Sequence, residues 1–476
     1  MSYDYEYNFI GGMWVPTESK TTLEVENPYT LEKAGKAPLS SKKDVEKAVA
    51  AACEAFSTWR SSPIDERIDV LRRMREIIAA NIEELAQLWT LEVGTPITTS
   101  RQAASFLPIK VIQDLEENLQ VFKFERVLGE TIVHRIPIGP IAAITPWNYP
   151  IGQLVTKCAS AIAAGCTVVA KPSAIAPLCG FRIMELISNI RLPSGVINIV
   201  GGDGTTTGEA LVRNKDIRLV SFTGSTEIGR HIAEVCGQRI VKTCLELGGK
   251  SASIVLDREI LPSAVASTVA SCTRNSGQTC TSLTRLIVMD DFLEEANEIA
   301  VQSMSRLPVG NPNDPETQIG PLISAEQRRK ALKLIRIGLE EGAKRIFGHP
   351  QDSILPEIGY FVPPTVFTDV TSRMRIAQEE IFAPVLSIMS AKNREDAIHL
   401  ANDSTYGLAG TVWSSSHEMA LSAAKQIDAG TLTVNTGAFN PSAPYGGMRD
   451  SGLGRELGVY GMEEYLEFKT YHGGYK

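Results

Sequence analysis

Apolar positions recur at helical spacing from Ser41 to Trp59 and again from Pro63 to Val93. Val45, Val49, Ala52 and Phe56 mark one stripe, and Val70, Leu71, Met74, Ile77 and Ile78 the next. An apolar residue at every third or fourth position buries one face of a helix, so both stretches are expected as long amphipathic helices. Ahead of them, Phe9-Ile10-Gly11-Gly12-Met13-Trp14-Val15 reads as two short strands around a turn, an edge hairpin. Residues 121–138 alternate apolar and polar on either side of Leu128-Gly129-Glu130, which predicts a hairpin with a polar face, and Tyr465 to Tyr471 alternate in the same way. Exposed strands of this kind pair with another subunit or form an ordinary sheet edge.

From Gly139 the rhythm changes, with apolar strand-like runs alternating with helical ones as in a doubly wound sheet. Pro140–Thr145, Thr167–Lys171, Gly195–Val200 and Ile217–Phe222 read as strands, and Ile151–Ala164 and Phe181–Ile190 as helices. Such a sheet binds ligands beyond the carboxyl ends of its strands, here at Thr145, Lys171, Gly201 and Thr223. Gly202-Asp203-Gly204, continuing to Gly208, does not meet the GxGxxG spacing of a dinucleotide loop. Thr223-Gly224-Ser225-Thr226 follows a strand and opens a helix; its amides and Ser225 hold either a phosphate or simply the helix end. After Gly249 a second strand and helix series runs from Ala252 to Gly437, a second α/β domain.

A formal charge of −8 without a basic run argues against a nucleic-acid or anionic-membrane surface. The start, Met1-Ser2-Tyr3-Asp4, carries no basic and apolar leader, which predicts a cytoplasmic protein. Eight cysteines at irregular spacing fit reduced thiols better than a disulfide framework, and no structural metal is expected. Cys280 differs from the others, because Asn275-Ser276-Gly277-Gln278-Thr279-Cys280-Thr281 is a polar segment, expected to be flexible, that presents a thiol. It reads as a nucleophile, which needs a positive or dipolar environment and a nearby base. A buried structural cysteine is the alternative. Glu246, between Leu245 and Leu247 at a strand end, is a general base whose pKa burial has raised, a satisfied structural acid, or an acid that simply turns outward.

Seven stretches in order carry a resemblance: Thr145-Pro146-Trp147-Asn148-Tyr149-Pro150, Lys171-Pro172-Ser173, Phe222-Thr223-Gly224-Ser225-Thr226, Leu245-Glu246-Leu247-Gly248-Gly249-Lys250, Gly277-Gln278-Thr279-Cys280, Glu379-Glu380-Ile381-Phe382-Ala383-Pro384-Val385 and Pro444-Tyr445-Gly446-Gly447. Together they resemble the NAD(P)-dependent, hydrolytic, non-acylating members of the aldehyde dehydrogenase superfamily, over essentially the whole chain. The resemblance implies an α/β fold of two doubly wound domains with a strand arm. Residues 1–118 and 138–247 would form the Rossmann-like cofactor domain, 248–444 the catalytic domain, and 119–137 with 445–476 the oligomerisation arm and tail of a homodimer or homotetramer.

It further implies a small-molecule aldehyde as substrate, Cys280 as nucleophile, Asn148 as oxyanion donor and Glu246 as base. Lys157 and Glu456 match a proton relay, although each could instead be a solvated charge. Ile144, Thr145, Pro146, Trp147, Lys171, Ser173, Gly204, Phe222, Gly224, Ser225, Ile228 and Leu247 would contact the cofactor, with Glu380 and Phe382 at the nicotinamide ribose. Tyr149, Thr156, Thr279, Thr281, Phe439 and Tyr445 match the acyl tunnel; aromatic and hydroxyl side chains without fixed charge suit a neutral aldehyde. Ala174 stands where many NAD-preferring members have Glu, so NAD is favoured only slightly and NADP is possible. Ala383 replaces a commoner Gly. A coenzyme A-acylating enzyme, which usually lacks the Glu246 acid, and a catalytically silent binding protein on the same scaffold are the alternatives.

Overall fold

The structure, a computed structural model, describes residues 3–349, 352 and 355–475 of the 476. Five parallel strands form the heart of an eight-stranded sheet, in the spatial order Lys242–Glu246, Leu219–Thr223, Pro140–Ile144, Thr167–Lys171 and Ile197–Ile199. All five residues of Pro140–Ile144 and of Thr167–Lys171 are buried. That explains their unbroken apolar runs, since a parallel strand is covered on both faces. Ile141, Ala143, Val168 and Ala170 face a core shared with helices Pro150–Ala164 and Leu178–Ser188. Ala142, Ile144, Val169 and Val220 face the helices Lys42–Trp59 and Thr226–Gln238 instead. The hairpin expected around Gly11-Gly12 forms from Tyr7–Ile10 and Met13–Pro16 and closes one edge. Gly452–Leu453, from the 445–476 tail, closes the other, antiparallel to Lys242–Glu246.

The stretch from Pro63 to Val93 is two helices, Ile64–Ala80 and Ile82–Val93, broken at Asn81. The apolar stripe continues through a residue whose side chain instead bonds back to the Ile77 carbonyl. A third helix, Ile97–Val121, has no counterpart in the sequence reading; Pro108 within it and the Thr98-Thr99-Ser100 start disguise its period.

A seven-stranded sheet holds the second half of the chain, with six parallel strands and Lys344–Phe347 antiparallel at one edge. Leu466–His472 pairs along its whole length with Thr131–Pro137, so the two polar-faced segments pair first with each other within the chain. Glu125–Leu128 completes this small sheet and, with Leu466–His472, leaves two open edges. Among the described residues no helix is long and apolar enough to cross a membrane.

Candidate active site

At the carboxyl ends of the first sheet the strand order reverses between Pro140–Ile144 and Leu219–Thr223, the position at which open α/β sheets leave a crevice. A cleft of about 400 Å³ opens there. The loop after Ile144 brings Pro146, Trp147, Asn148 and Tyr149 to it, the next strand end brings Gly224 and Ser225, and the last brings Glu246, Leu247 and Gly248. From the second domain come Cys280, Glu380 and Phe382. Gln153, Gln327, Lys330, Lys333 and Arg375 also line it. No sequence signal marks them: Gln327, Lys330 and Lys333 lie on the helix Ala325–Glu340, whose polar face looks like any solvated surface, and Gln153 is the one position of Pro150–Ala164 that is not buried.

Cys280 follows a segment that is ordered by its own polar groups. Asn275, Ser276 and Gly277 all have positive φ, at 51°, 56° and 77°. Ser276 Oγ donates to Gly320 O and accepts from Gly320 N, each at 2.9 Å, and Thr95 Oγ1 donates to Asn275 Oδ1 at 2.6 Å. Gln278 Oε1 accepts from Ile323 N at 2.9 Å. Asn275, Ser276 and Gln278 are essentially buried. The expected flexible loop is therefore corrected to a buried, strained one, because its polar side chains satisfy backbone groups rather than water.

Of the two environments expected for the thiol, the dipolar one forms, from the Tyr445 hydroxyl and the Cys280 backbone amide. Burial pushes the Cys280 pKa up to about 12, the Tyr445 hydroxyl opposes this, and the charges of Glu380 and Glu246 reinforce it. The neighbours are thus a phenol and two carboxylates rather than a cation. Asn148 donates from Nδ2 to Gln278 O at 2.9 Å, while the Asn148 main-chain carbonyl accepts from Asn275 Nδ2 at 3.2 Å. That fixes the amide against the cysteine loop and leaves a second N–H for a substrate oxygen.

Glu246 is 3% exposed, and both its carboxylate oxygens are buried without a hydrogen-bond partner among the described residues. Desolvation raises its pKa well above the carboxylate range, reinforced by the charge of Glu456 and opposed by those of Lys157 and Arg455. Lys157 and Glu456 are buried too, in an ion pair, and Lys157 Nζ also donates to Ser221 Oγ at 3.0 Å. They are not solvated charges. Gly446, with φ +154°, lets the chain pass where a Cβ would lie 2.6 Å from Glu246 Oε1.

Glu380 accepts from Gly249 N at 3.1 Å, and a Cβ on Gly248 would lie 2.6 Å from its other oxygen. The Gly248-Gly249 pair is therefore what admits this carboxylate. Burial raises its pKa to about 7, opposed by the Gly249 amide and Lys250. Trp147 packs edge-on against Phe382, which holds a positive φ of 58°.

Lys171, also buried, donates to Pro172 O at 3.2 Å, and burial lowers its pKa to about 8. A Cβ on Gly208 would come within 3.8 Å of its Cε, in the turn that begins at Gly204. Ser173 is half-buried beside it in sequence. Ser225 caps the helix Thr226–Gln238 by accepting from Ile228 N, and Ile228 is exposed. Thr145, Ile144 and Phe222 are buried at their strand ends. A buried cation, an open glycine turn, a helix N-terminus and a half-engaged carboxylate fit the diphosphate and ribose groups of a dinucleotide.

On the acyl side, the Tyr149 and Thr279 hydroxyls share a hydrogen bond of 2.8 Å. Tyr445 meets Phe439 edge-on at 6.2 Å, and Thr156 is buried with its hydroxyl unpartnered among the described residues. Thr281 is half-buried next to Cys280. Among the described residues no group of three or more His, Cys, Asp or Glu side chains is placed to hold a metal ion.

The sequence matches the aldehyde dehydrogenase family over residues 14–471. A putative aldehyde dehydrogenase of Staphylococcus aureus is 39% identical over 477 residues, covering 99% of this chain and 100% of the relative. A cysteine-to-alanine mutant of aldehyde dehydrogenase C from Pseudomonas syringae, solved with NAD+ and octanal, superimposes with a TM-score of 0.97 at 38% identity, covering 99% of this chain and 97% of that one. A Mycobacterium tuberculosis aldehyde dehydrogenase complexed with NAD+ gives 0.96 at 37% identity, with both chains covered in full. The chain therefore belongs to the aldehyde dehydrogenase family, and is an oxidoreductase that acts on aldehydes.

Proposed function

We propose that this protein oxidises a neutral aldehyde to the free carboxylic acid through a thioester on Cys280. The observation that carries this is the convergence of Asn148, Glu246 and Cys280 on one cleft between the two sheets. NAD, when bound, supplies the hydride acceptor; Lys171, Ser173, Gly204 and Ser225 would hold its adenosine and diphosphate, and Glu380 and Phe382 its nicotinamide ribose. NAD+ in the Pseudomonas syringae and Mycobacterium tuberculosis relatives supports that cofactor. Octanal in the former supports an uncharged substrate. Ala174 presents no carboxylate to repel a 2′-phosphate, so NADP is also accepted.

Cys280, as thiolate, adds to the aldehyde carbon, and Asn148 with the Cys280 backbone N–H holds the developing oxyanion. After oxidation Cys280 carries the acyl group as a thioester. Glu246 then takes a proton from water, which attacks the thioester and frees the acid. Lys157 and Glu456 keep that proton's path buried behind Glu246. The open strand edges Glu125–Leu128 and Leu466–His472, with Phe468 70% exposed, suit assembly into a homodimer or homotetramer.

Product analysis separates hydrolysis from acyl transfer. Free acid should form at the same rate with and without coenzyme A, and NADH should form faster than NADPH. Product that appears only as acyl-coenzyme A would overturn the hydrolytic reading.

A further inference from the structure

Cys280 Sγ lies 3.4 Å from the Tyr445 hydroxyl. We propose that Tyr445 is a catalytic residue, donating a hydrogen bond to the nucleophilic sulfur and holding its negative charge in a site whose other charged neighbours oppose it. This rests on the proposed role of Cys280 and adds to it.

Tyr445 touches the sulfur, Glu380 and Glu246 line the same cleft and act on its charge, and Tyr149 also feels a charge on it. Both carboxylates disfavour a thiolate. Tyr445 and the Cys280 backbone amide favour it, and such bonds strengthen when the acceptor carries charge. Tyr445 stays a donor, because burial, with the charges of Cys280, Glu246 and Glu456, raises its own pKa well above the ordinary phenol value. Its position is fixed on both sides. Tyr445 N donates to Glu456 O at 2.8 Å and Glu456 N donates to Tyr445 O at 2.7 Å. Phe439 packs against its ring, and the next residue, Gly446, is the one that passes over Glu246. One short segment of the tail thus places a donor on the nucleophile and backbone on the base, and ties both to the Lys157–Glu456 pair.

The test is the pH dependence of Cys280 alkylation by iodoacetamide in the full-length protein, followed by mass spectrometry on the Cys280 peptide, for wild type and Tyr445→Phe. Losing a charge-assisted hydrogen bond should displace the profile upward by about one pH unit, making alkylation about tenfold slower at a given pH below the plateau. Superimposable profiles would overturn the proposal, as would a variant whose only change is a higher KM for aldehyde, the mark of a passive pocket wall. Aldehyde oxidation by the wild type is scored separately. An inactive wild type with a shifted variant profile defeats the hydrolytic reading and keeps the donor, whereas an active wild type with overlapping profiles does the reverse.

Discussion

Glu246→Gln should release about one NADH per active site in a burst and then turn over about 10²–10⁴ times more slowly, because the acyl group reaches Cys280 but water is no longer deprotonated to remove it. The amide keeps the size of the acid and removes its basicity. The buried oxygens of Glu246 lack hydrogen-bond partners among the described residues, so the exchange breaks no such bond there. Burial and the charge of Glu456 raise the Glu246 pKa, so its base form accumulates only as pH climbs above the usual carboxylate range. Wild-type deacylation should accordingly rise with pH through that raised pKa, and the variant's residual rate should not follow it. Rapid-mixing kinetics with an absorbance readout measure both. A variant without a burst, or with wild-type steady-state turnover, would remove Glu246 from the deacylation step.

Gly277→Ala should destabilise the protein by roughly 2–5 kcal/mol, the sum of a left-handed backbone penalty and an overpacking penalty. Gly277 has φ +77°; a Cβ there would overlap the Ala383 carbonyl and lie 2.6 Å from Pro384 N. Both obstacles are backbone, so neither can turn aside as a side chain would. The same contact locks the cysteine loop against the segment that carries Glu380 and Phe382, so activity should fall even at temperatures where the variant stays folded. A urea midpoint equal to that of the wild type would show that the loop has slack the geometry denies.

Much of this site was legible because its chemistry demands unusual residues in unusual places. An acid inside the Leu245-Glu246-Leu247 strand end needs a reason, and the structure buries it rather than turning it outward. The parallel strands were legible for the same kind of reason, since the Val168-Val169-Ala170 centre of Thr167–Lys171 puts apolar side chains on both faces. What escaped was whatever depends on long-range approach. Asn275 and Ser276 look like loop residues in sequence, and only their bonds to Thr95, Asn148 and Gly320 show that they brace a strained turn. Lys157 sits in an apolar helix 299 residues from Glu456, so only the family resemblance pairs them, and their joint burial has no local signal. Tyr445 read as one aromatic among several, because its distance from a sulfur 165 positions away is set by the tail folding back over both domains. Asn81 misled in the opposite sense, interrupting a helix whose apolar stripe continues past it.

The most direct test of the central claim is NAD(P)H formation by the purified protein across short aliphatic, long aliphatic and aromatic aldehydes, with Cys280→Ala in parallel. The wild type should oxidise at least one neutral aldehyde, and the variant should lose that activity to background. Oxidation at the wild-type rate without the Cys280 sulfur would contradict the claim.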